Sequence, residues 1–128
     1  DDGEPLQMST TQQRWLTHSV GLYLVYTRKA DHNPDVIRWR APLYLAEVDP
    51  DRLCLIRETE REVFPIVDDP EDAPLNVALL GNFMPINVNV SESWITVGEN
   101  RARDGFRGDP LLARVKWTRP NYELSWQT

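Results

Sequence analysis

Arg40 and Glu99 are the two side chains of this sequence best suited to chemistry on a small ligand. A guanidinium is planar and permanently charged, and it grips a carboxylate through a two-pronged fork. Arg40 stands just before the apolar run Leu43–Val48, and Arg38 offers a second, weaker cation at the same end. Glu99 closes the run Trp94–Gly98, where a partly buried carboxyl can act as general acid, general base or nucleophile-activating base. Gln12, Gln13 and Asn82 carry amides, which donate and accept at once and so suit ligand hydroxyls. A surface ion pair, a solvated strand-end acid and loop-capping amides are the ordinary readings of these same residues.

Other chemistries have less behind them. His18 and His32 are isolated, without a His-x-x-x-His pattern or a cysteine cluster, so no metal is expected. Asp68, Asp69, Glu71 and Asp72 lack the spacing of a calcium loop and read as a solvated acidic connection. No glycine-rich phosphate loop or Gly-x-Ser-x-Gly elbow occurs, and no cofactor is expected. The single cysteine, Cys54, excludes an internal disulfide and reads as a small buried hydrophobe among Leu and Ile. A net charge of -6 argues against a nucleic-acid partner, whose footprint is basic. No apolar run approaches the ~20 residues of a membrane helix. The opening Asp1-Asp2-Gly3 does not read as a signal peptide.

The elements that position these residues read as strands. Ten prolines and six glycines punctuate the chain, amphipathic helical patterns are absent, and the aromatics fall in β-like runs. The hairpin at 40–60 is central. Leu43, Leu45 and Glu47 share one face, while Tyr44, Ala46 and Val48 share the other. A turn at Asp49-Pro50-Asp51-Arg52 leads to Leu53–Ile56, in a strand expected to continue to Phe64. Both faces are apolar enough to be covered.

Further strands are expected at 12–18, 22–27, 82–90, 94–97 and 111–117. In the 82–90 strand Ile86, Val88 and Val90 share one face, and Asn87 and Asn89 the other. Val77–Leu80 reads as a short strand or helical turn within the acidic connection. The tail 118–128 is expected to be extended or frayed, with Trp126 as its anchor.

The connections alternate in length. Short turns at 19–21, 49–52 and 91–93 fall at one end of an up-and-down meander, and long polar loops at 28–42, 65–81 and 99–110 fall at the other. Functional groups gather on long loops held by a rigid scaffold, so a site is expected at that second end. The chain of 128 residues reads as one all-β domain. It holds about two antiparallel, four-stranded propeller-type blades. Blade one covers about 12–64, and an incomplete blade two covers about 76–117.

Thr11-Gln12-Gln13-Arg14-Trp15, Gly21 through Arg28, Arg40-Ala41-Pro42-Leu43, Val48 through Leu53 and Gly81-Asn82-Phe83 carry a resemblance. Together they resemble the C-terminal part of bacterial sialidase-like propeller proteins of the exo-α-sialidase, Asp-box type, over most of residues 2–119. The resemblance implies a six-bladed β-propeller, with this chain as part of one or completing a ring by association. It also implies a sialic-acid-like glycan ligand, a bacterial source and a secreted or periplasmic location. The Asp-box pattern itself is absent, and Val90-Ser91-Glu92-Ser93-Trp94 is at best a remnant. Three readings stay open: a glycoside hydrolase acting on anionic sugars, a non-catalytic carbohydrate-binding propeller, and an interaction module. Two blades leave open edges, so a homo-oligomer is expected, a C₃ trimer in the simplest case.

Overall fold

In the computed structural model, residues 2–8, 11–34, 36–67, 78–101 and 107–124 are described. Their regular structure is strand, apart from two short 3-10 turns at Ile37–Trp39 and Arg57–Thr59. The first sheet contains β1 (Arg14–His18), β2 (Gly21–Tyr26), β3 (Leu43–Asp49), β4 (Cys54–Leu55) and β5 (Arg61–Phe64). The second contains β6 (Leu79–Asn89), β7 (Glu92–Arg101) and β8 (Arg107–Lys116). Both are antiparallel meanders, ordered β1-β2-β3-β4 and β6-β7-β8, with β5 also pairing β3.

β3 lies inside the first sheet because its sequence is apolar on both faces. Leu43 packs in the core between the sheets, while Tyr44 and Ala46 belong to a second cluster on the outer face. The core joins Leu16, Val25 and Leu43 of the first sheet to Leu80, Phe83, Ile95 and Val97 of the second. Full burial of a side chain of this size contributes about 1.5–3 kcal/mol.

Two turns follow from an Asx residue at their start. Asp49 Oδ1 accepts the amides of Asp51 (3.0 Å) and Arg52 (3.1 Å), and Asn89 Oδ1 accepts those of Ser91 (2.8 Å) and Glu92 (3.0 Å). Such local bonds fix a tight reversal without using the ladder.

Several expectations need correction. The strand at 53–64 is broken: Leu53 belongs to the turn, at φ 54 and 80% exposed, and the 3-10 turn at Arg57–Thr59 separates β4 from β5. Cys54 is half-buried at a cleft rather than sealed in the core. Strands of the second sheet are longer than their apolar runs. Glu99 lies inside β7, and the connection expected at 99–110 shrinks to 102–106, outside the described residues. The alternation in β6 is inverted relative to hydropathy, with Asn87 facing the core and Ile86 exposed. The tail is described to residue 124, without helix or strand, and is anchored by Asn121; Trp126 and Val77 lie outside the described residues.

Candidate functional site

The two ends of the molecule are chemically different. At the short-turn end, turns 19–20 and 90–91 are both tied to Asn121. Ser19 N–H donates to its Oδ1 at 3.1 Å, and its own N–H donates to Val90 O at 2.8 Å. Asn121 Nδ2 also donates to Thr17 O at 3.0 Å, and Asn87 Nδ2 donates to the same oxygen at 2.9 Å. Ser93 Oγ donates to Asn87 Oδ1 and receives the Trp117 indole N–H at 2.8 Å. His18 is held by hydrogen bonds at both ring nitrogens. Its Nδ1 accepts from Val20 N–H, leaving the Nε2 proton for Arg119 O, both at 3.1 Å. The Trp117 ring meets it edge-on at 4.6 Å. These polar groups satisfy one another, so this end is a clasp between the sheets.

At the long-loop end, the connection from β2 to β3 is shaped by Asn33, which is fully buried. Its amide donates to Arg28 O (2.8 Å) and Ala41 O (3.0 Å), and its Oδ1 takes the Ala30 N–H (2.6 Å). The loop then presents Arg38, Trp39 and Arg40. Arg40 docks on β6 through one main-chain bond and one side-chain bond: Leu80 N–H to Arg40 O at 2.9 Å, and Arg40 Nη1 to Leu80 O at 3.3 Å. Burial and the neighbouring charge of Arg38 pull its guanidinium pKa down. Among the described residues no carboxylate pairs with Arg40.

Leu80 pairs with Glu99 across β6 and β7, so Arg40 and Glu99 share this end, about two strand spacings (~10 Å) apart. Glu99 is 6% exposed and has no ion pair or hydrogen bond from its carboxylate among the described residues. Asp109, which sequence reasoning left aside, stands opposite it in the β7–β8 register and is paired with Arg107 at 3.0 Å. The signal for Asp109 was its place next to Pro110 in a strand, a position read as loop.

Gln12 and Asn82 come together along a groove of about 490 Å³, with Arg14, Thr96, Gly98 and Pro110. Gln12 is already engaged: its Nε2 donates to Phe83 O at 2.6 Å and its Oε1 accepts from Arg14 at 3.1 Å. Asn82 is exposed in the groove, and Gln13 is exposed without lining it. Gly98 and Pro110 also border a hollow of about 430 Å³ lined by Gly81, Glu99 and Asp109. No family model, curated protein or solved structure matches this chain.

A second polar cluster escaped sequence reasoning. On the outer face of the first sheet, Arg28 and the Tyr26 hydroxyl both donate to Glu60. The Arg28 guanidinium also lies 4.6 Å over the Tyr44 ring, which stacks on Tyr26 at 5.7 Å. Burial, with Glu60 adding to it, pushes the Tyr26 phenol far up, and burial lifts Tyr44 to about 12. Burial also pushes the Glu60 carboxyl up, but the Arg28 and Tyr26 bonds outweigh it and hold the group below its usual value. A phenol this well buried stays protonated, so the cluster braces the face rather than supplying a nucleophile. The N-terminal segment crosses this face, with Lys29 N–H on Gln7 O (2.9 Å) and Arg57 on Asp2 (2.9 Å). It leaves a cleft of about 240 Å³ lined by Leu6, Met8, Cys54 and Leu55.

Proposed function

We propose that this chain is a glycan-directed unit of a sialidase-like propeller and binds an acidic sugar at its long-loop end. One observation carries the reading. Arg40 is half-buried, repelled by Arg38, and without a carboxylate among the described residues. A desolvated guanidinium in that position gains most from an incoming anion it can grip with its fork. The groove past Asn82 and Gly98 is open for the neighbouring part of a sugar chain, and Asn82 offers both a donor and an acceptor there.

The test is titration of the full chain with N-acetylneuraminate, glucuronate and galactose, followed by saturation-transfer NMR. Binding of the two acids but not of galactose is expected, with a loss of about tenfold or more in Arg40→Gln. Equal binding of galactose, or wild-type affinity in Arg40→Gln, sinks the reading.

Glycoside hydrolysis is the second reading, favoured by Glu99 standing opposite Asp109. Side chains opposite one another on adjacent antiparallel strands have Cβ atoms about 4.5–5.5 Å apart, and paired carboxylates are what glycosidic cleavage needs. In this reading Glu99 is the general acid and base. Turnover of a fluorogenic sialoside, abolished in Glu99→Gln, supports it; binding without turnover leaves the lectin-type reading alone.

An assembly goes with both. Two sheets do not close a ring, β8 pairs only with β7 among the described residues, and Met84, Ile86 and Leu112 are exposed on the outer face of the second sheet. Three copies complete six sheets. A light-scattering mass of one 14.8 kDa chain at high concentration contradicts that assembly.

A further inference from the structure

We propose that Trp39 is a stacking platform for the ring of the acidic sugar, a role that rests on the glycan-directed reading above. The backbone makes the case. Arg38 and Trp39 are consecutive residues at φ 52 and φ 50. The left-handed region costs a non-glycine residue about 1–2 kcal/mol, and neither residue is a glycine or an asparagine.

The strain closes the 3-10 turn itself, through Trp39 N–H to Val36 O at 2.9 Å and Arg40 N–H to Ile37 O at 3.2 Å, but it does not fix the rest of the connection. Asn33 fixes the loop through Ala30, Arg28 and Ala41, and Arg40 docks on Leu80 by one main-chain and one side-chain bond. Nor does the strain serve to hide the indole, which stays half-exposed beside an exposed Ile37. It leaves a half-exposed aromatic ring on the residue next to Arg40.

That face is already used electrostatically, since the Lys29 ammonium lies 5.6 Å from the Trp39 ring centroid. Aromatic faces are electron-rich and attract positive charge, Trp most strongly. The C–H face of a pyranose carries the same sign of partial charge and is apolar, so it stacks where the ammonium now sits. Lys29 then turns to the sugar's carboxylate or hydroxyls. Trp39 and Arg40 are consecutive, with Cα atoms about 3.8 Å apart, and the platform requires that both side chains meet one acidic pyranose. The ligand class is therefore a six-membered acid sugar with one unhindered C–H face.

The experiment compares the wild type with Trp39→Ala, Trp39→Phe and Arg38→Gly, by saturation-transfer NMR and thermal melts. For the wild type, the strongest saturation should fall on ring C–H protons of N-acetylneuraminate or glucuronate. Trp39→Ala should weaken binding roughly three- to tenfold. Arg38→Gly removes the left-handed cost at residue 38, Trp39 keeping its own at φ 50; it should raise the melting temperature while weakening binding, because the display relaxes. A loop anchor would lower stability in Trp39→Ala without that opposite movement in Arg38→Gly.

Wild-type affinity in a folded Trp39→Ala overturns the platform and leaves the glycan reading standing. If Trp39→Ala does not fold, unchanged affinity in both Trp39→Phe and Arg38→Gly overturns it instead. Absence of acid-sugar binding to the wild type overturns the glycan reading and the platform with it.

Discussion

Arg28 and Glu60 meet through two parallel bonds, Nε to Oε2 at 2.9 Å and Nη2 to Oε1 at 2.6 Å. Their side chains are about one-fifth exposed, so the pair is shielded but not dry. It ties the end of β2 to the start of β5 across β3, over the Tyr44 ring. A bidentate pair in this setting is stronger than a surface ion pair, which is typically worth under about 1 kcal/mol.

Acid stability follows from the sign of the Glu60 shift. Its folded-state pKa lies below 4.5, so the contribution is complete above 4.5 and is lost as pH falls through the depressed value. Glu60→Gln should cost about 1–3 kcal/mol at neutral pH, partly screened by water. It should also flatten the acid branch of the stability curve. Urea melts at neutral pH and well below 4.5 measure both; a variant as acid-sensitive as the wild type would remove Glu60 from the account.

The tyrosines set the alkaline limit. Tyr26 and Tyr44 have raised pKa values, Tyr44 to about 12, so the neutral phenols stabilise the fold fully below 10. That contribution disappears as pH rises through the folded values. Absorbance at 295 nm should show these two of the four tyrosines ionising only at about 12 or beyond, together with loss of the fold. A single ionisation near 10 for all four would contradict the burial of this cluster.

Thr17 O receives amides from both Asn87 and Asn121, which joins β1 to β6 and to the tail at one atom. Each Asn→Ala change should cost about 1–3 kcal/mol, since buried partners are left unsatisfied. The pair should be non-additive by about 0.5 kcal/mol or more in a double-mutant cycle. Truncation after Trp117 should cost more than Asn121→Ala, because it also removes Arg119 O from His18, Tyr122 N–H from Ser19 and Glu123 O from Asn87. Strict additivity would mean the clasp is two separate contacts.

The legibility of the fold followed hydropathy. β2 and β3 carry apolar residues on both faces, so their place in a covered sheet could be read directly. The all-β class and the first tight turn followed from residues such as Asp49 and Pro50, whereas Asn89 was read into a strand and most of the loop expected at 99–110 is strand. Hydropathy failed where polar side chains were buried in pairs. Asn87 faces the core because Thr17, Ser93 and Asn121 satisfy it or share its acceptor, and partners so distant in sequence leave no periodic trace. Arg40 and Glu99 were found as chemistry-bearing residues at one end. Trp39 and the Arg28–Glu60–Tyr26 cluster depend on a left-handed turn and on cross-strand register that local patterns do not encode.

Gly98 separates the proposed glycan binding from stability at the groove. It lies mid-strand in β7, opposite Pro110, and a Cβ there meets nothing within 4 Å. Neither packing nor a left-handed backbone requires glycine at this position. A glycine inside a strand costs roughly 0.5–1 kcal/mol relative to a residue with a side chain, and it often marks the approach of a ligand or another backbone. Gly98→Thr should therefore raise the melting temperature by about 2–4 °C. The same side chain fills the space between Asn82 and Pro110, so affinity for an acidic oligosaccharide should fall while affinity for the acidic monosaccharide at Arg40 is kept. Stabilisation with unchanged oligosaccharide binding would take the groove out of the site. A destabilised Gly98→Thr would mean the position is not open, and the hollow over Gly81 and Gly98 would have to be closed in solution by another strand.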